Sequence, residues 1–305
     1  MSRAVVQETF GGPEKLEVRQ VPDPHAGPGE IRVRVSAAGL NPMDWILTSV
    51  PEVASAFGVT MPTGFGSDFA GTVDEVGDGV SGFAVGDRVY GGALGHAVAD
   101  HVVVAPARDE VRHTPDGVDD ITASTLPVAG RTAVAALAAI GLHEGDTLLV
   151  GGAAGGVGVF VVQLARPAGA RVIGTSSEGS FEFLRGLGVE PVAYGPGLAD
   201  RVRAIAPEGI TAATDLFGTE TAYAALELGV PAGRISTIAS RDPALGVKAT
   251  GGRDADAGAL DRVAADVAQG RLTVPIAATY PIDRIVDAVS FQAGRHVRGK
   301  VVVTI

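Results

Sequence analysis

The sequence predicts an α/β protein of two domains: a β-rich, barrel-like domain and a doubly wound, parallel-sheet domain inserted into its chain. Three observations predict it. The first third reads as short alternating strands punctuated by Gly and Pro. From about Thr122 the chain alternates helix and strand, and the strands are apolar on both faces, as in a covered parallel sheet. Near the middle, a hydrophobic strand runs straight into the glycine-rich turn Gly151-Gly-Ala-Ala-Gly-Gly-Val-Gly158 and then into an apolar helix.

In order along the chain, residues 30–35 alternate apolar and charged side chains, the period of a strand with one buried face. Short strands are expected at 71–79 and 83–90, separated by Gly-Asp turns, and another at 97–105. Most glycines here read as turn formers of an antiparallel barrel. Residues 121–142 are alanine-rich and helical in composition, interrupted by Pro127 and Gly130. Strands at 147–150, 171–175, 192–194, 213–216 and 234–239 then alternate with helices at 157–166, 180–187, 199–205 and 221–228. Pro167 stops the first of these helices, and Gly188 suits the cap of the second. Residues 256–269 are amphipathic, with Leu260, Val263, Ala264 and Val267 at helical spacing. A further helix is expected near 283–291 and a closing strand at 300–305. The expected domains are 1–121, 122–250 and, returning to the first, 251–305.

The glycine turn carries the chemistry. Glycines allow a tight turn and a close approach to phosphates, and a helix N-terminus offers unpaired N–H donors at the positive end of its dipole. Gly152, Gly155, Gly156, Val157 and Gly158 are therefore the expected pyrophosphate-binding residues. Gly155 and Gly156 should lie against the phosphates, while Gly158 lets helix and sheet pack closely. The next strand ends in Thr175, Ser176 and Ser177, with Ser180 just beyond, where an NAD-binding chain usually carries an acid. Without that acid a ribose 2′-phosphate is not repelled, and hydroxyls can donate to it. NADPH is thus the expected cofactor. The same serines would also suit a plain helix N-terminus, and nearby Glu178 argues the other way.

Composition excludes several classes. In 305 residues, 46% hydrophobic and 19% charged side chains describe a globular chain with room for real cores. A net charge of −11 argues against nucleic-acid or anionic-membrane surfaces. With no cysteine there is no disulfide, thiolate nucleophile or thiolate metal site. The N-terminus has no apolar leader, so the expected location is cytoplasmic. The six histidines are scattered without ligand spacing.

Several segments in order carry a family resemblance: Gly39-Leu-Asn-Pro-Met-Asp-Trp45, Gly66-Ser-Asp-Phe-Ala-Gly71, Val85-Gly-Asp-Arg-Val89, Leu126-Pro-Val-Ala-Gly-Arg-Thr-Ala133, the glycine turn, and His296-Val-Arg-Gly-Lys300. The chain resembles the medium-chain dehydrogenase/reductase superfamily, and within it the zinc-free quinone oxidoreductases (zeta-crystallin-like), over nearly its whole length. The resemblance implies a GroES-like catalytic domain, a Rossmann domain, an active site in the cleft between them, and a homodimer. Zinc relatives hold their metal with a Cys where this chain has Asn41 and a His where it has Ser67. Neither replacement is competent, so a metal-free enzyme is expected.

The resemblance also assigns residues. Asn41, Asp44 and Trp45 lie on the loop placed beside the nicotinamide, where Asn41 could donate to a substrate oxygen and Trp45 could wall the pocket. Core packing is the other reading of Trp45. Thr132 is placed next to the nicotinamide carboxamide, and Arg131 replaces an apolar residue there. Tyr194 matches a residue by the 2′-phosphate and Lys300 a basic position near the cofactor, although each also suits a surface or strand end. Relatives often carry Lys at Ser180. Residues 50–63 and 241–253 are the expected pocket walls.

Without a Lewis acid, the accessible chemistry is hydride delivery to a conjugated electrophile: a quinone, an enone or an enal. An enoyl reductase of a biosynthetic pathway, and a nucleotide-binding protein with little turnover, are the alternatives.

Overall fold

The computed structural model describes every residue of the chain except Arg241, so that end of the expected 241–253 pocket wall lies outside the described residues. In chain order the elements are β1 (Ser2–Gln7), β2 (Glu17–Val21), β3 (Ile31–Leu40), α1 (Pro42–Ser49), α2 (Pro51–Ala56), β4 (Thr63–Gly64), β5 (Asp68–Val76), β6 (Arg88–Gly92), β7 (His101–Val104) and β8 (Val111–His113). Then follow α3 (Asp120–Ala123), α4 (Leu126–Ile140), β9 (Thr147–Gly151), α5 (Gly158–Ala165), β10 (Arg171–Ser176), α6 (Phe181–Gly186), β11 (Glu190–Ala193), α7 (Leu198–Ile205), β12 (Ala212–Asp215) and α8 (Glu220–Glu227). The chain closes with β13 (Ile235–Thr237), β14 (Lys248–Ala249), α9 (Ala259–Ala268), β15 (Ile276–Pro281), α10 (Ile285–Ala293) and β16 (Lys300–Thr304). They fall into two compact units. The first comprises Met1–Val128, Ala264–Arg271 and Ile276–Ile305, and the second Ala129–Val263 and Leu272–Pro275.

In the first unit, a sheet in the order β15-β16-β3-β5-β6-β8 is joined by β7 on β3, and a three-stranded sheet has the order β2-β1-β4. All these pairings are antiparallel except β15 with β16. The first half of β3 alternates as read: Ile31, Val33 and Val35 are buried, while Arg32 and Arg34 point outward. Its second half, Ala37–Leu40, is buried throughout. There Gly39 is required, because a Cβ would lie 2.2 Å from the Ser124 carbonyl oxygen. The apolar face packs with Phe69, Val73, Val89 and Val102, each side chain contributing roughly 1.5–3 kcal/mol on burial.

The strand expected at 83–90 begins only at Arg88. Asp87 explains the delay: its carboxylate accepts from Ala84 N at 2.8 Å, and Gly86 adopts φ +99°, so the preceding residues form a turn. β1, β2, β4, β8, β14 and β15 lie outside the strands that the sequence predicts. α1 occupies what was read as a loop.

The second unit holds a six-stranded sheet in the order β11-β10-β9-β12-β13-β14, all parallel. This is the Rossmann order, in which the chain reverses direction of travel between β9 and β12. Leu149, Ile173, Ala213 and Ile235 from four neighbouring strands form its core with Val202 and Ala225 from α7 and α8. In such sheets ligands bind beyond the carboxyl ends of the strands at the reversal. The glycine turn follows β9 at that end.

Candidate active site and nucleotide-binding turn

The turn is built to keep backbone close to backbone. Gly152 takes φ +68°, a conformation side chains disfavour, and its N–H donates to Thr175 Oγ1 at 3.1 Å. Ala153 N donates to the Thr175 carbonyl, also at 3.1 Å. At Gly158, a Cβ would sit 2.4 Å from Gly152 O and 2.5 Å from Ala153 O, so only glycine lets α5 start there. Gly152, Gly155, Gly156 and Val157 are partly open to solvent, whereas Gly158 is buried. This arrangement fits a dinucleotide pyrophosphate: an accessible glycine backbone at a helix N-terminus.

The hydroxyl-bearing strand end is more structural than the sequence suggested. Thr175 is buried, and its hydroxyl braces the turn instead of facing outward. Ser176 Oγ donates to the Ser177 carbonyl at 3.1 Å. Ser180 is buried at the end of the short 3-10 turn Glu178–Ser180, Ser177 is partly exposed, and Tyr194 is 52% exposed. No acid stands at the end of β10.

A second constellation forms in the first unit, where β16, β3 and β5 are neighbours. In register, Val301 faces Leu40 and Gly39 faces Asp68. The residue after β3, the first residue of β5 and the first residue of β16 therefore converge. These are Asn41, Asp68 and Lys300, all buried. Lys300 Nζ donates to Asn41 Oδ1 at 2.6 Å and to Leu40 O at 3.0 Å. Asn41 Nδ2 donates to Asp68 Oδ2 at 2.9 Å. Asp68 also accepts from Val128 N at 3.2 Å.

The N-terminus of α1 adds the rest. Pro42 starts the helix, and Asp44 at its third position accepts from Asn41 N at 2.7 Å. Its other oxygen accepts from Ser67 Oγ at 2.5 Å. Burial pushes the Asp44 carboxyl up to about 6, against the opposing pull of Ser67, Asn41 N–H and Lys300. Burial also raises Asp68, with Lys300 opposing and Asp44 reinforcing. The same burial lowers Lys300, against both carboxylates. Two carboxyls share one ammonium in a dry interior, so the cluster favours holding one extra proton near neutral pH.

Two expected site residues meet in this cluster. Both ends of the Asn41 amide are engaged: Nδ2 donates to Asp68 and, at 3.4 Å, to Gly39 O, while Oδ1 accepts from Lys300. Lys300, grouped by resemblance with the cofactor residues, points its ammonium into this cluster. Trp45 is half-buried against the core of Leu40, Phe65 and Val301, with the Arg295 guanidinium 5.7 Å from its ring centre and its Nε1 buried without a hydrogen bond. Thr132 is buried on α4, in the second unit. Ser67 and Asp68 were not among the expected site residues. Ser67 precedes β5 and Asp68 opens it, directly before the apolar residues Phe69 and Ala70, which was the available signal.

Asp44 and Ser67 line a small open pocket, with room for about 10 Å³, whose other walls include Leu47, Val59, Phe65 and Leu94. Val59 falls in the 50–63 stretch read as a pocket wall.

Among the described residues, no group of three or more His, Cys, Asp or Glu side chains could hold a metal. The donor set at the Asn41 and Ser67 positions is itself unsuited to zinc: an engaged amide, a hydroxyl and a nearby ammonium. No helix of the described residues is long and apolar enough to cross a membrane.

A glycine turn at the reversal of a Rossmann sheet, joined in one chain to a GroES-like sheet, defines a nicotinamide-dependent oxidoreductase class. Known proteins agree. Residues 27–116 match the alcohol dehydrogenase GroES-like domain, and residues 156–250 match the zinc-binding dehydrogenase family. A quinone oxidoreductase of Pseudomonas aeruginosa is 39% identical over 180 residues, which is 58% of this chain and 53% of that protein; the chain thus matches about half the length of this curated relative. The quinone oxidoreductase structure from Coxiella burnetii superposes with a TM-score of 0.90 at 27% identity, covering 100% of this chain and 99% of that one. A mycobacterial protein solved with NADPH superposes with a TM-score of 0.86 at 26% identity, covering all of both chains. The chain belongs to the medium-chain dehydrogenase/reductase superfamily, in its quinone oxidoreductase-like family.

Proposed function

We propose that this protein is a metal-free, NADPH-dependent reductase that delivers hydride to a quinone or an α,β-unsaturated carbonyl. The observation that carries the reading is the replacement of a competent metal-ligand set by the Lys300–Asn41–Asp68 network, in a chain that keeps the glycine turn. A thiolate-free site with its polar groups tied to each other offers no Lewis acid for alcohol oxidation. A conjugated acceptor needs only alignment, exclusion of water and stabilisation of the developing oxyanion.

Gly152, Gly155, Gly156, Val157 and Gly158 would hold the pyrophosphate, and Ser176, Ser177 and Ser180 would border the 2′-phosphate, with Tyr194 beside it. Thr132 would fix the carboxamide. When bound, the reduced nicotinamide supplies the hydride. The absence of an acid at the end of β10 supports NADPH over NADH, as does the likeness to a protein solved with NADPH. We further assign the enzyme a homodimeric state, which light scattering of the pure protein checks, and a cytoplasmic location, which cell fractionation checks.

The test is purified protein with NADPH and a panel of quinones, enones and enoyl thioesters. Acceptor-dependent NADPH oxidation is the expected result, and tight NADPH binding with no oxidation by any acceptor contradicts the reading.

A further inference from the structure

Hydride delivery to a quinone or an enone leaves an oxyanion or enolate that needs a proton. The family resemblance supplies no donor on this chain: the position often held by a phenol is Trp45. The pocket bordered by Asp44 and Ser67 contains the chemistry for one. We propose that the Ser67 hydroxyl hands the proton to the reduced acceptor and that Asp44 holds this proton behind it. The proposal rests on the reductase reading above and adds the residue that completes the reaction.

Three observations carry it. Ser67 Oγ and Asp44 Oδ1 are 2.5 Å apart, a contact short enough for a proton to pass in either direction. The other Asp44 oxygen is pinned by Asn41 N at 2.7 Å, so the carboxyl has one oxygen for structure and one for exchange. Both side chains border the same open pocket, and its remaining walls are mostly apolar. Elsewhere in the cluster, Asp68 and Lys300 are tied to Asn41 and are absent from the pocket wall. The charged groups facing Asp44 are Lys300 from β16, which favours its anion, and Asp68 from β5, which disfavours it. Burial keeps the carboxyl protonatable near the pH at which such an enzyme works.

The step balances. The hydride electron pair forms the new bond on the acceptor, and the cofactor leaves oxidised. The acceptor then takes the Ser67 hydroxyl proton, while Ser67 Oγ takes the proton of Asp44. Asp44 remains as a carboxylate and is reprotonated from water. In this scheme Ser67 is the catalytic residue and Asp44 a positioning residue that acts through it.

The experiment compares the wild type with Ser67→Ala, Ser67→Thr and Asp44→Asn. Steady-state rates with one enone and one quinone are taken across about pH 5–9, in light and heavy water. Ser67→Ala is expected to lower kcat for the enone roughly tenfold or more, to enlarge its solvent isotope effect, and to leave the NADPH dissociation constant within about twofold. Ser67→Thr should restore most of the rate. An independent arm uses infrared spectroscopy without turnover: the wild type should show a protonated-carboxyl band that bleaches as pH rises through about 6, absent in Asp44→Asn and displaced in Ser67→Ala. A Ser67→Ala enzyme with wild-type kcat and pH profile overturns the proposal. So does a Ser67→Thr enzyme as slow as Ser67→Ala, or a band that persists unchanged in Asp44→Asn. A wild type that fails to oxidise NADPH with any acceptor overturns the reductase reading instead, and the infrared arm still decides whether Asp44 carries the proton.

Discussion

Lys300 Nζ stands 2.6 Å from Asn41 Oδ1, joining the start of β16 to the end of β3 across 259 positions of sequence. Through the Asn41 amide the ammonium is linked to Asp68, and its field also reaches Asp44. Removing one partner of a buried charge network leaves the others uncompensated, a loss of about 3–5 kcal/mol. Lys300→Met should therefore destabilise the protein by that order near neutral pH, read by urea denaturation. The double variant Lys300→Met/Asp68→Asn should recover much of the loss, because the buried anion goes with the cation. A single variant as stable as the wild type would show that Lys300 and its carboxyl neighbours are not held as a buried ion pair at neutral pH.

The raised Asp44 carboxyl sets a pH trend with a definite sign. Its folded value of about 6 lies above the ordinary 3.8, so the native state binds this proton more tightly than the unfolded chain. The corresponding stability is present below 3.8 and is lost as pH rises through about 6. Asp68 acts in the same direction. Asp23, Asp100 and Asp146, lowered by their partners, act only below the ordinary value and with opposite sign. Denaturation at about pH 5 and pH 8 should show a wild type that is more stable at the lower pH, with roughly 1.4 kcal/mol of the difference missing in Asp44→Asn.

Gly158→Ala places a Cβ 2.4 Å from a carbonyl oxygen that cannot move without distorting the glycine turn. The turn should shift and NADPH affinity should fall about tenfold or more, with a stability loss of roughly 1–3 kcal/mol. Calorimetric titration with NADPH reads the first effect and thermal melting the second.

Cofactor choice is tested at Ser177, the partly exposed residue just past β10. Ser177→Asp would set a carboxylate where the 2′-phosphate is expected, and at about 4 Å two such charges repel by 1–4 kcal/mol. NADPH affinity should drop about tenfold or more, while NADH affinity holds or improves. Equal losses for both nucleotides would place the 2′-phosphate elsewhere.

The second unit was the more legible half of the molecule. The strand at 147–150, its glycines and the apolar helix after them are local signals, since strand, turn and helix lie within twenty residues of one another. The first unit depends on pairings that the sequence does not display. β15 carries alternating burial, but only β16 tells it where to lie. α1 could have been read from Asn41-Pro42 followed by Asp44, a helix start with an acid at its third position. Its periodic signal is weak because the helix is only 8 residues long. Lys300 looked like a basic strand end, and its burial follows only from β16 lying beside β3. Motif reading therefore found Asn41 and Asp44 but not the network that defines them.

The most direct measurement of the central claim follows deuterium from cofactor to product. Enzyme treated with a strong chelator is given NADPH deuterated at its transferable position and an enone, and the saturated product is analysed by mass spectrometry. The account predicts one deuterium on the β-carbon and a rate unchanged by the chelator. A product without label, or a rate that collapses on chelation and returns with zinc, would contradict it.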